Sequence, residues 1–205
     1  MWSSEVTNMI ITGIWETLYM TLVSTLVGYV IGLPMGIILT VSDKDGIKPN
    51  AVLYKILDVI ANIVRSVPFI ILLVLLIPFT RLVVGKSYGS TATIVPLVIA
   101  AAPYIARMVE SSLKEVDAGV IEAARSMGAS NFTIITKVML VEARTSLLVG
   151  ATITLGTILG YSAMSGAVGG GGLGAIAIRY GYTRWQTDIM IVTVISVSYT
   201  HLRAH

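Results

Sequence analysis

Few side chains in this 205-residue chain carry charge, so those inside or beside apolar blocks are the ones whose chemistry matters. Asp58, Asn62 and Arg65 stand four and three apart, which places them on one face of a helix. Charge at membrane depth is costly and marks either a polar pathway or a packing and interface anchor. Arg65 can also snorkel to the interface on its long stem. Glu122 and Arg125, three apart in a polar stretch, offer charge to a partner. Gly85-Lys86-Ser87 has the ending of a phosphate-binding loop, but Thr80 stands where that motif needs its first glycine. Gly169 to Gly174 contains a GxGxxG, yet no strand pattern precedes it and no βαβ unit surrounds it, which argues against a dinucleotide site. His201 and His205 have a helical metal spacing without a third ligand or a carboxylate nearby, so they read as part of a tail and no metal site is expected. Cysteine is absent, which excludes disulfides and Cys metal sites. The sequence contains no catalytic triad and no Walker A motif, so an enzyme with its own ATPase site is not expected.

The elements that must position these residues are apolar helices. Hydrophobic residues make up 55% of the chain and charged residues 12%, with a mean hydropathy of +0.86. A soluble domain carries roughly 25% charged residues. The expected fold is all-α, a polytopic membrane protein with about five transmembrane helices and one helical membrane domain over residues 1–197. The net charge of +3 would suggest nucleic acid only if the basic residues clustered, and they are dispersed. The N-terminus lacks the basic region of a cleaved signal, so the first apolar block is read as a retained helix.

That block, Thr17 to Val41, is long enough to cross a ~30 Å hydrocarbon core. Gly28, Gly32 and Gly36 recur every four residues on it, a ridge suited to close helix packing, and Pro34 sets a kink. A polar connector, Ser42 to Lys55, leads to a second helix over Leu57 to Phe79. A short loop, Arg81 to Ser90, precedes a third helix over Thr91 to Met108, which contains Pro96 and Pro103. The fourth helix is predicted over Ser146 to Ala167. The following glycines suit a tight re-entrant turn or close backbone packing, with Gly169 and Gly172 as candidate packing or hinge positions. Tyr180 to Asp188 is an aromatic, polar segment suited to a membrane interface. The fifth apolar block, Ile189 to Val197, is shorter than the ~20 residues a span needs. The polar stretch 198–205 therefore reads as a tail that truncates the last helix, either foreign residues or the edge of a fragment.

Between the third and fourth helices lies Val116 to Glu142. Asp117 is a plausible N-cap for a short helix over Ala118 to Met127, about 15 Å long at ~1.5 Å per residue. Gly128 suits the left-handed position after it, and Ser130 can cap a second helix. Ala123 and Ala124 give the first helix a narrow waist. Such a helix either docks into a groove on a partner or lies on the membrane as an amphipathic connector. Lysine and arginine number eight in the Ser42–Lys55 and Arg107–Arg144 segments together, against four on the opposite side. The excess predicts that these segments are cytoplasmic and that the N-terminus is outside.

Glu122-Ala123-Ala124, three residues, then Gly128, with Val138 and Leu140 further on, resembles the EAA loop of ABC-importer permeases. The family pattern continues with a proline where this chain has Val141. Arg65-Ser66-Val67-Pro68-Phe69 is similar to a segment common in amino-acid importer permeases. Gly160 to Gly169 and Gly171 to Gly174 resemble the methionine-importer permeases, and the likeness covers most of residues 15–195.

The resemblance implies that residues 1–197 are the permease domain of a bacterial inner-membrane ABC importer, with a coupling loop at 112–142. The resemblance implies that Glu122, Ala123, Ala124, Arg125 and Gly128 couple to a cytoplasmic ATPase, and that Tyr161, Ser162 and Met164 are candidates for lining or gating the pathway. It further implies a homodimer with two ATPase copies, in which the ATPase uses ATP and Mg while this chain binds no cofactor. The remaining partners would be the bilayer and an extracytoplasmic methionine-binding lipoprotein. The cargo would be L- or D-methionine, moved by alternating access. A permease for another amino acid and a non-transporting membrane scaffold are the alternatives.

Overall fold

The computed structural model of the protein describes residues 4–203, with side chains described to residue 199, and contains no strand among those residues. Helix α1 (Ser4–Ser42) begins well before the expected Thr17 and continues through Pro34. Glu5 in its first turn complements the positive end of the helix dipole. Two hydroxyls on α1 are satisfied within the helix itself, as Thr21 donates to the Thr17 carbonyl and Thr40 to that of Gly36.

Helix α2 (Ala51–Ser66) starts earlier than the expected Leu57, because the Asn50 side chain accepts from the Leu53 N–H at 3.1 Å. The expected helix over Leu57 to Phe79 is not continuous. Pro68 has no N–H and disfavours helical backbone at Val67, so the chain breaks and restarts as α3 (Phe69–Leu75) and α4 (Ile77–Val84). The predicted loop from Arg81 is also corrected. Residues 81–84 are the last turn of α4, closed by Gly85 at φ +80 with its N–H on the Arg81 carbonyl.

Helix α5 (Ser90–Lys114) passes both of its prolines and extends six residues beyond the expected Met108. The next elements are α6 (Ala118–Ser126) and α7 (Asn131–Thr133), then a π-helical turn over Ile134–Met139 and α8 (Leu140–Glu142). Helix α9 (Arg144–Ser165) stops two residues short of the expected Ala167 and passes into a 3₁₀ turn, Gly166–Val168. Helix α10 (Gly172–Ile176), a π-helical turn over Ala177–Tyr182 and α11 (Thr187–Arg203) complete the chain. The backbone is thus helical through Arg203, across most of the stretch expected to be a tail. Ala204 and His205 lie outside the described residues, as does the side chain of His201.

Among the described residues, three helical stretches are long and apolar enough to cross a membrane: Ser4–Ser42, Ser90–Lys114 and Arg144–Tyr182. A fourth arises if the bent pair Ala51–Ser66 and Phe69–Leu75 counts as one span. The expected five is reached only by adding the shorter apolar helix Thr187–Tyr199. Large apolar side chains such as Leu22, Leu26, Val30 and Leu148 are exposed, as a hydrocarbon surround requires.

The chain divides into two compact units. The first comprises the chain up to Val27, Val67–Ala101 and the chain from Thr154 onward. Met20, Leu97, Ile158 and Leu173 are among its fully buried side chains. Here Gly166 and Gly174 pack backbone against backbone: a Cβ on Gly174 would overlap the Ala163 carbonyl, and one on Gly166 would overlap the Gly174–Ala175 peptide. The second unit comprises Gly28–Ser66 and Ala102–Ile153. Leu39, Ile105, Val109, Leu113 and Ile134 are buried in it. Its glycine ridge packs on α5, where a Cβ on Gly32 would stand 2.6 Å from the Ala102 carbonyl oxygen. One on Gly36 would stand 2.6 Å from that of Ala106. Gly28 is buried as well.

Candidate functional site

In the second unit, α6 forms where the sequence predicts it. The Asp117 carboxylate accepts from the Gly119 N–H at 2.7 Å, and the helix closes through Met127 on the carbonyls of Ala123 and Arg125. Gly128 follows at φ +79, the left-handed geometry in which a Cβ is costly. Ser130 then caps α7, accepting from the Thr133 N–H at 3.3 Å.

The two alanines do not act alike. Ala124 is buried and seats the helix, whereas Ala123 is exposed. Val120, Ala123 and Met127, at helical spacing, form an outward strip of small and apolar groups, and Met127 is 82% exposed. Phe132, just beyond the left-handed turn, is also exposed. Glu122 and Arg125 border a groove of about 500 Å3 shared with Asp43, Asp45, Ile47 and Lys114. Arg125 donates to the Ile47 carbonyl at 3.0 Å.

A charged cluster lies within the same unit that the sequence reading missed. Glu110 is only 4% exposed. Its carboxylate accepts from Arg107 at 2.7 Å, Lys114 at 2.8 Å and the Tyr54 hydroxyl at 3.2 Å. Arg107 also pairs with Asp58 and donates to the Asn62 side chain at 2.9 Å. Lys114 reaches Asp43 at 2.7 Å. That contact holds the Asp43 carboxyl below the usual carboxylate range. Asp58 and Asn62 are therefore brought together, as their spacing predicts, while Arg65 is exposed outside this cluster. The spacing of Arg107, Glu110 and Lys114 at i, i+3 and i+7 was the available signal, since it puts all three on one helix face.

The first unit holds the other candidates. Tyr161 stacks on Phe69 with ring centroids 4.5 Å apart and planes 3° from parallel. Ser162 is buried and donates to the Leu159 carbonyl at 2.7 Å. Met164 is half exposed. Tyr161 and Ser162 thus make packing contacts within this unit. The glycine segment turns with Gly169, Gly171 and Gly172 at φ +84, +84 and +70. Several of its freed backbone groups have partners. Gly89 N–H donates to the Gly169 carbonyl at 2.9 Å, and the Thr93 hydroxyl to that of Gly170 at 3.2 Å. The Gly172 N–H donates to the Glu16 carboxylate at 2.6 Å, and the Leu173 N–H to the Thr17 hydroxyl at 2.9 Å. Gly172 has no room for a side chain, because a Cβ there would lie 2.6 Å from the Thr17 hydroxyl oxygen.

The model of the family described as the binding-protein-dependent transport system inner membrane component matches residues 32–201. The chain belongs to this family. As a member it is a multi-pass inner-membrane permease component, and the all-α membrane fold expected from the sequence holds. It is 49% identical over 194 residues to the probable D-methionine transport system permease protein MetI of Vibrio cholerae, covering 95% of this chain and 86% of that protein. It is 53% identical over 158 residues to the D-methionine transport system permease protein MetI of Escherichia coli, covering 77% and 73% respectively. Among solved structures, a chain of the MetNI methionine ABC transporter in an inward-facing conformation matches with a TM-score of 0.97 at 49% identity. That match covers 99% of this chain and 94% of the other.

Proposed function

We propose that this chain is the translocating permease subunit of an ATP-driven importer of methionine, L- or D-. The observation that carries the proposal is the near-complete match to a chain of the methionine transporter, in fold and in half of the residues. In this reading the permease is a homodimer served by two copies of a cytoplasmic ABC ATPase, which binds and hydrolyses ATP with Mg. An extracytoplasmic methionine-binding lipoprotein delivers the cargo. The lysine and arginine excess supports a cytoplasmic α6 and an N-terminus on the outside. There the strip Val120, Ala123 and Met127 is free to seat in a cleft of the ATPase, with Glu122 and Arg125 beside it. Closure of the ATPase pair on ATP carries α6 with it and rocks the permease from inward- to outward-facing. Tyr161, Ser162 and Met164 are assigned to the pathway or to the packing that shapes it.

The test is uptake into proteoliposomes that contain the permease, its cognate ATPase, the binding protein and ATP. Methionine uptake that requires all four components is expected. Uptake of a different amino acid in place of methionine would reassign the cargo. Assembly of the complex without any flux would reduce the chain to a docking scaffold.

A further inference from the structure

A continuous run of polar contacts leads away from α6 within the second unit. Near the C-terminal end of α6, Arg125 holds the Ile47 carbonyl at 3.0 Å. Ile47 sits in the connector after α1, which is not slack. The Lys48 N–H donates to the Val41 carbonyl at 3.0 Å, and the Asn50 N–H to that of Ser42 at 2.9 Å. Asp43, at the start of the connector, takes Lys114 at 2.7 Å, and Lys114 is shared with Glu110 at 2.8 Å. Glu110 in turn takes Arg107 at 2.7 Å, and Arg107 reaches Asp58 and Asn62 on α2. Tyr54 on α2 also bonds Glu110 directly.

This arrangement holds α6 at both ends. Its N-terminal end follows Lys114 by only a few residues of chain. Its C-terminal end is tied through Arg125, the connector and Asp43 back to the same Lys114. A helix held at one end can pivot, and one held at both ends must carry its supports with it. Glu110 is where the two supports meet α2. Its carboxylate is almost stripped of water, so its three donors replace hydration, and losing the charge unsettles all of them together.

We infer that Glu110 is a positioning residue for coupling: through Lys114 and Arg107 it makes a displacement of α6 move α2 instead of being absorbed in the joint. The inference rests on the reading of α6 as the coupling helix. Contiguity alone does not establish coupling, so the test measures it.

Glu110→Gln keeps the shape and removes the charge. Reconstituted with the ATPase and binding protein, this variant is expected to associate with the ATPase within about twofold of the parent. It should move about fivefold less methionine for each ATP hydrolysed. Glu110→Asp should recover part of that ratio. In a double-mutant cycle, Glu110→Gln combined with Arg125→Ala should be no worse than the more severe single variant. Asp43→Asn opens the same run at its more exposed end, and should lower the ratio even where Glu110→Gln does not accumulate in the membrane.

An unchanged ratio, with transport and hydrolysis falling in proportion, would overturn the inference, because a merely structural role predicts that result. Strict additivity of the cycle would do so as well. Gly128→Val separates the two layers. If that variant abolishes ATPase association while Glu110→Gln keeps the parental ratio, the coupling helix stands and the Glu110 assignment falls. If Gly128→Val changes nothing, the coupling helix itself has been misread.

Discussion

Replacing Gly128 with valine should weaken the grip of the ATPase on this chain while leaving membrane insertion intact. Gly128 adopts φ +79, and a Cβ built there meets nothing within 4 Å. The added Cβ itself therefore overlaps no neighbour, and its cost is conformational, ~1–2 kcal/mol for an L-residue held in the left-handed region. An energy of that size shifts an equilibrium about 5- to 30-fold. It falls on the bonds that finish α6, from Met127 N–H to Ala123, Gly128 N–H to Arg125 and Ala129 N–H to Ala124, at 3.0–3.1 Å. If the turn rearranges, Met127 and Phe132 on either side of it move relative to each other. The assay is titration of the detergent-solubilised permease with its ATPase, followed by proteoliposome transport. A series of substitutions isolates the cause. Asparagine tolerates the left-handed region better than alanine, and a β-branched side chain tolerates it least, so affinity should fall in the order Gly, Asn, Ala, Val. Valine binding as tightly as glycine would refute the reasoning. Asparagine proving as harmful as valine would show that a side-chain contact, and not φ, is responsible.

Further outcomes follow from the packing and the charges. Gly174→Ala drives a methyl into the Ala163 carbonyl, so the variant should lose ~1–3 kcal/mol and unfold at a lower temperature in detergent. An unshifted melting temperature would mean that the α9–α10 turn can spread. Tyr161→Phe keeps the stack on Phe69 and should transport like the parent. Tyr161→Ala should be less stable by roughly 0.5–1.5 kcal/mol beyond its lost area. A large transport loss in the Phe variant would give the hydroxyl a role in the pathway. The Lys114 ammonium depresses the folded-state pKa of Asp43 below its unfolded value. Its stabilising contribution is therefore complete above the ordinary carboxylate range, about pH 4, and is lost as pH falls through the lower folded value. Asp43→Asn should accordingly flatten the acid limb of a stability-against-pH curve measured in detergent, and an unaltered limb would deny the contact that role.

Local signals were legible in the sequence, and long-range ones were not. Asp117, Gly128 and Ser130 act within a few residues of themselves, so the caps and the left-handed turn around α6 could be read directly. The helix over Leu57 to Phe79 was misread because hydropathy continues smoothly across Pro68, while backbone hydrogen bonding does not. The C-terminal end of α5 was cut short for the opposite reason. Arg107, Glu110 and Lys114 look like the exit from a membrane, but they pair with one another and with Asp58 and Asp43, and the helix runs on to Lys114. The spacing of Arg107, Glu110 and Lys114 could have flagged Glu110, but not its bond to Tyr54, which is 56 residues away in the chain. Likewise, the glycines at 166 and 174 announced close packing without saying that they pack on each other.

The bonds from Gly172 and Leu173 to Glu16 and Thr17 join parts of the chain 156 residues apart. At a synthesis rate of ~5–20 residues per second, the partners of Glu16 and Thr17 emerge roughly 8 to 30 s after those residues themselves. Throughout that interval α1 must reside in the growing protein with a carboxylate whose final donor does not yet exist. The first unit is therefore sealed late, by a glycine turn that closes over a helix made 156 residues earlier. A ribosome stalled before Gly172 would hold a chain that has α1 and lacks the clasp for it.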